Sequence, residues 1–142
     1  MTEIATRSLP APVHAFLAEP DRFATVATLD PDGMPHLVVA WYLLDGDALV
    51  LNSKIGRRWP ANLLRDPRVS LCIEDGYRYV VVRGTVEPVR EQGRAQGDIA
   101  TMARRYHRDD PAAAEEMVAM FAAQERISFL VRPERVAVHL EG

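Results

Sequence analysis

Five strand-like segments fall between Arg22 and Val89, and three of their four connections are turns of four residues or fewer. Turns that short cannot hold a crossover helix, so the strands they join are antiparallel. "RFATVATLD" (22–30) is alternating and β-branched, and "DPDG" (30–33) follows as a turn in which Pro31 presets φ and Gly33 takes a positive one. "MPHLVVAWYLL" (34–44) is the second strand, "DGD" (45–47) the next turn and "ALVLNS" (48–53) the third strand. After a short helix, predicted to begin at Trp59 and run to about Asp66, come "RVSLCIED" (68–75), a turn at Gly76 and "YRYVVVRGTVEPV" (77–89). Gly84 inside the last of these marks a bulge or a close backbone approach.

Helical periodicity frames this block. Val13, Phe16 and Leu17 form one apolar stripe over 13–19. Ala95, Ile99, Met102, Ala103 and Tyr106 form a second within 93–108. Ala113, Met117, Met120 and Phe121 form a third over 111–124, with Pro111 at its start and Asp109 or Asp110 as cap. The methionines are expected to serve helix packing. A last strand, 126–140, is expected to break near Pro133. Many short alternating strands favour a small barrel over a doubly wound sheet. The 34–44 segment is apolar on both faces: Leu37, Val39, Trp41 and Leu43 on one, Val38, Ala40, Tyr42 and Leu44 on the other. A strand buried on both sides needs a second covering layer, and a second copy of the chain is the simplest one.

With 142 residues, the chain is expected to be a single domain, 1–142. Its net charge of −3 argues against a general nucleic-acid binder. No stretch approaches the length of a membrane helix and the first residues lack an apolar leader core, so a cytoplasmic protein is expected. Cys72 stands alone in an apolar run and reads as a buried structural thiol. The histidines, His36 included, are scattered with no pair at ligand spacing, so no metal is expected.

One segment departs from the acidic balance. "SKIGRRWPAN" (53–62) carries Lys54, Arg57 and Arg58, and Lys54 is the sole lysine of the chain. A strand end, a glycine turn at Gly56 and a helix start bring free backbone N–H groups to one place, and the cations add charge-assisted donors. Ser53, Lys54, Arg57, Arg58 and Asn62 are therefore candidates to grip a phosphate. The alternative is a solvated basic turn ion-paired to Asp66 or Glu74.

"FATVATLDPDGMPHLVVAWYLLDGDALVLNS", "RRWPANLLRDPRVSL" and "YVVVRGTVEPV" together resemble the pyridoxamine 5'-phosphate oxidase-like split β-barrel flavoproteins, and most of all their branch that uses the deazaflavin coenzyme F-420. The resemblance covers roughly residues 20–90. It implies a mainly β fold with helices (α+β), a six- or seven-stranded antiparallel split barrel with helices outside, assembled as a homodimer with the coenzyme at the interface. It places Ser53, Lys54, Arg57, Arg58 and Asn62 at the coenzyme phosphate and Val38, Val39, Ala40 and Trp41 under the ring, bordered by Thr25 and Thr28. It has Tyr77, Arg78 and Tyr79 contribute from the partner subunit. The implied activity is hydride transfer from reduced F-420 to an unsaturated small organic substrate; no catalytic side chain is assigned. FMN in the same site, or F-420 storage without catalysis, are the alternatives. The ending "RPERVAVHLEG" lacks the R-L-x-P of true pyridoxamine-phosphate oxidases, which argues against pyridoxal chemistry.

Overall fold

A computed structural model describes residues 2–141. Its elements in chain order are β1 (Thr2–Ala5), α1 (Ala11–Ala18), β2 (Ala24–Leu29), β3 (Pro35–Ala40), β4 (Leu43–Asp45), β5 (Ala48–Lys54), α2 (Arg58–Arg65), β6 (Arg68–Asp75), β7 (Arg78–Val89), α3 (Gln92–Tyr106), α4 (Pro111–Ala122) and β8 (Arg126–His139). All eight strands join one antiparallel sheet in the order β3-β2-β6-β7-β8-β5-β4, with β1 added alongside β8.

The two edge strands of that order, β3 and β4, are consecutive in the chain with only Trp41 and Tyr42 between them. Three residue steps span at most about 11 Å, so the sheet must curl until its edges meet. The result is a barrel left open along one seam. The expected single strand over 34–44 is therefore two strands. Tyr42 causes the break: its ring enters the core at 1% exposure and its hydroxyl donates to the Leu17 carbonyl at 2.7 Å. The strand count also exceeds the six or seven expected, because β4 separates from β3 and β1 is added.

The barrel interior is filled by one face of each long strand, among them Val26, Leu49, Leu51, Leu71, Ile73, Val80, Val82, Phe129 and Val136. Helix α1 adds Val13, Phe16 and Leu17 to this core, and α2 adds Trp59 and Leu63. Helices α3 and α4 lie outside the barrel, where Ile99, Met102, Ala103 and Phe121 pack on Val50 of β5 and Leu130 of β8. Asp110 caps α4 as expected, accepting from the Ala113 N–H at 3.1 Å.

Strand β3 is not buried on both sides within the chain. Leu37 is 64% and Val39 69% exposed, on the face turned away from the interior. Strand β8 does not break at Pro133 but runs through it with a register shift opposite Arg83/Gly84. Cys72 is half-buried, and burial pushes its thiol above the usual range, with Glu74 adding to the effect.

Candidate functional site

The turn that opens at Asp30 and the start of α2 meet in a hydrogen-bonded clamp. Arg58 reaches Asp30 with two nitrogens, its Nε donating at 2.9 Å and its Nη2 to the other carboxylate oxygen. Asn62, buried at 2% exposure, donates to Asp30 Oδ1 at 2.9 Å and to Thr28 Oγ1 at 3.0 Å. The Arg58 guanidinium, then Asn62, hold the Asp30 carboxyl down to about 2. Two of the five residues expected at a phosphate, Arg58 and Asn62, thus serve an internal carboxylate, and that carboxylate is neither Asp66 nor Glu74. Ser53 is a third that stands apart: it is buried on the interior face of β5 with Leu49 and Leu51, its hydroxyl donating to the Lys54 carbonyl at 3.1 Å.

Lys54 and Arg57 remain. Lys54 ends β5 directly opposite Arg126, the first residue of β8. Opposed residues of an antiparallel ladder share a face, and like charges so placed repel. Gly56, at φ 104°, then turns the chain into α2 through a conformation that side-chain-bearing residues rarely adopt. Arg57 follows as the exposed residue preceding α2, with no side-chain cap on the helix. Among the described residues, the side chains of Lys54, Arg57 and Arg126 enter no ion pair.

Arg126 is the residue that sequence reasoning missed. It is 3% exposed. Its Nε donates to Asn52 Oδ1 at 3.0 Å and its Nη1 to Gln124 Oε1 at 2.7 Å, and its guanidinium stands 4.6 Å from the centre of the Phe121 ring. Burial first, then the charge of Arg57, lowers its pKa to about 10, which still leaves it charged at neutral pH. The Lys54–Arg126 register was the one available signal, and it could not be read before β5 and β8 were known to pair.

Arg57 and Arg126 line a cleft of about 330 Å³ between the end of β3, the outer face of β5 and helices α3 and α4, and Lys54 stands across the ladder from Arg126. Val39, Ala40 and Trp41 line it from the end of β3, and Met102, Met117, Met120 and Phe121 line it from α3 and α4, with the Trp41 and Phe121 rings meeting edge to face at 6.4 Å. Asn52, Arg57 and Arg126 are its polar groups. Of the methionines expected to be plain packing, Met102 is fully buried, but Met120 is 51% exposed on the cleft wall. The Trp41 ring is fixed by stacking on Tyr106 at 5.1 Å and 9°. Tyr106 is fixed in turn: its hydroxyl donates to the Arg22 carbonyl at 2.5 Å and accepts from the Tyr42 N–H at 3.2 Å. Val38 turns to the barrel interior instead.

Tyr77, Arg78 and Tyr79 do not line this cleft. They stand at the β6–β7 hairpin, where Tyr77 is 90% exposed, Arg78 pairs with Asp75 at 2.6 Å and Tyr79 stacks on His139 at 5.1 Å. Among the described residues no helix is long and apolar enough to cross a membrane.

Comparison with known proteins finds a family, described as pyridoxamine 5'-phosphate oxidase, matching residues 9–139. A crystal structure of a conserved hypothetical protein from Mycobacterium tuberculosis superposes with a TM-score of 0.76 at 27% identity, covering 97% of this chain and 93% of that one. An F-420 reductase superposes at 0.68 with 27% identity, covering 86% and 94%. A heme-binding protein from Mycobacterium smegmatis superposes at 0.58 with 26% identity, covering 84% of this chain and 49% of its own. No curated protein matches the chain.

Proposed function

The chain belongs to the pyridoxamine 5'-phosphate oxidase family, and from that premise we propose that it is an oxidoreductase that binds reduced coenzyme F-420 and passes a hydride to an unsaturated small organic substrate. The observation that carries the reading is a pair of uncompensated cations: Arg57 in the lining of a cleft that also holds Trp41 and Phe121, and Lys54 across the ladder from Arg126 of the same lining. Like charges gathered without a carboxylate raise the energy of the folded chain, and a bound anion relieves that cost. The lining holds no carboxylate to compete for the anion. Lys54 and Arg57 would hold the coenzyme phosphate, and Val39, Ala40 and Trp41 its ring. The bound deazaflavin supplies two-electron hydride transfer, which amino-acid side chains do not perform. The protein's part is to orient the reactants and to keep water out with its methionine and aromatic walls. The similarity to an F-420 reductase supports F-420 over FMN.

The test is a titration of the purified protein with F-420 and, separately, with FMN. Bound FMN absorbs near ~450 nm and oxidised F-420 near ~420 nm, each band being carried by the coenzyme itself. Saturable F-420 binding with turnover of an enone or quinone is expected. Preference for FMN would move the activity to that coenzyme, and F-420 binding without turnover across such a panel would leave a storage protein.

The homodimer belongs to the same proposal. Leu37 and Val39 expose apolar side chains on one face of β3, an edge strand of the sheet, and Met34 is exposed just before it, a surface that an isolated molecule would leave open to aggregation. A second copy covering it would reach the cleft, because Val39 belongs to both surfaces, and Tyr77, 90% exposed, would be within its reach at the β6–β7 hairpin. Sedimentation of the wild type is expected to give twice the chain mass, and Leu37→Glu to give the monomer. A wild type that sediments as a monomer at micromolar concentration would refute the dimer.

A further inference from the structure

We propose that Arg126 anchors a second subsite in the cleft, one that takes a flat apolar molecule bearing a single carboxylate; the proposal rests on the coenzyme reading only in calling that molecule the hydride acceptor. Among the described residues two arginines are buried, and their surroundings differ. Arg22, 8% exposed, meets two carboxylates, Glu19 at 2.7 Å and Asp75 at 3.3 Å. Arg126, 3% exposed, meets only the neutral amide oxygens of Asn52 and Gln124. Its Nη2 donates to nothing among the described residues, and the nearby charges of Lys54 and Arg57 share its sign.

A buried cation with neutral partners is costly, and an apolar residue of similar size in such a place is commonly neutral or stabilising. The arginine therefore makes chemical sense as one half of a pair whose anion arrives with a ligand. Nη1 and Nη2 present a planar edge, which suits the two oxygens of a carboxylate. The cleft that Arg126 lines also holds Trp41, Met117, Met120 and Phe121, two aromatic rings and two adaptable thioethers, and the Arg126 guanidinium lies over the Phe121 ring. The cleft's 330 Å³ lies at the small end of ligand sites. It has room for a molecule of about two fused rings, with the coenzyme phosphate outside at Lys54 and Arg57.

The probes are 2-naphthoate, 2-naphthamide and 2-naphthyl phosphate, titrated calorimetrically into the protein without coenzyme. Naphthoate is expected to bind roughly 30-fold tighter than the amide, the scale of one charge-assisted contact. Arg126→Gln should erase that preference while F-420 affinity stays within about fivefold, since the removed charge is not in contact with the phosphate. Met120→Trp narrows the cleft without touching the guanidinium, and should weaken naphthoate about tenfold by overfilling it. It serves if the Gln variant fails to fold. Equal binding of acid and amide by the wild type would overturn the proposal. So would naphthyl phosphate binding tighter than naphthoate, or an Arg126→Gln protein that loses F-420 as fully as naphthoate. Absence of F-420 binding by the wild type, with the naphthoate preference intact, would sink the coenzyme reading and leave the carboxylate subsite standing.

Discussion

Gly84→Ala is expected to lower the thermal unfolding midpoint by about 10 °C, from an overpacking cost of ~3 kcal/mol at roughly 3 °C per kcal/mol for a chain of this size. Gly84 is buried in β7, opposite Pro133 of β8, where the register shifts. A Cβ built there would lie 1.9 Å from the Arg132 carbonyl oxygen, 2.9 Å from its carbonyl carbon and 3.2 Å from the Pro133 Cα. All three are backbone atoms, so no side chain can rotate away. The strands must separate, and they do so at the longest pairing in the sheet, which runs from Tyr79 to Val89 along β7. Differential scanning calorimetry decides the matter, with Gly97→Ala as comparison because nothing lies within 4 Å of a Cβ there. An unchanged midpoint for Gly84→Ala would mean that the two strands are not held this closely.

The combined substitution Lys54→Ala/Arg57→Ala is expected to weaken F-420 binding about 100-fold, two charge-assisted contacts each discounted for partial exposure. Stability should hardly change, because neither side chain enters an ion pair and their removal relieves repulsion on Arg126. Arg58→Ala separates this site from its neighbour. Arg58 is committed to Asp30, so its loss should loosen the turn against α2 and shift F-420 affinity less than tenfold. Fluorescence titration alongside thermal melts reads both effects. Should Arg58→Ala prove the more damaging to binding, Asp30 must release it to the coenzyme, and the grip lies one residue further along.

Much of the fold was legible because turns and periodicity are local signals. The helices at 93–108 and 111–124, the bulge at Gly84 and the strand-helix-strand passage through Gly56 were all readable from neighbours in sequence. The losses were non-local. Thr2–Ala5 is exposed at every position, so β1 carries no alternation to detect. The break at Trp41–Tyr42 has no glycine or proline to announce it; it follows from where Tyr42 finds its partner on α1. At the site, the cationic turn was visible, but its division of labour was not. Asp30, 28 residues before Arg58, claims Arg58 and Asn62, while Arg126, 72 residues after Lys54, comes to lie beside it. A lone arginine at the start of a strand has no motif.

The position of β8 has a consequence for biosynthesis. It leaves the ribosome after every other strand of the sheet, yet it pairs with β7 along one edge and with β5 and β1 along the other. Until residues 126–139 emerge, the nascent chain holds two unjoined half-sheets with raw edges, and the long-range pairings that close them are slow to form. A truncation or a stalled translation anywhere before Arg126 therefore yields no smaller working protein, only material for chaperones and proteases.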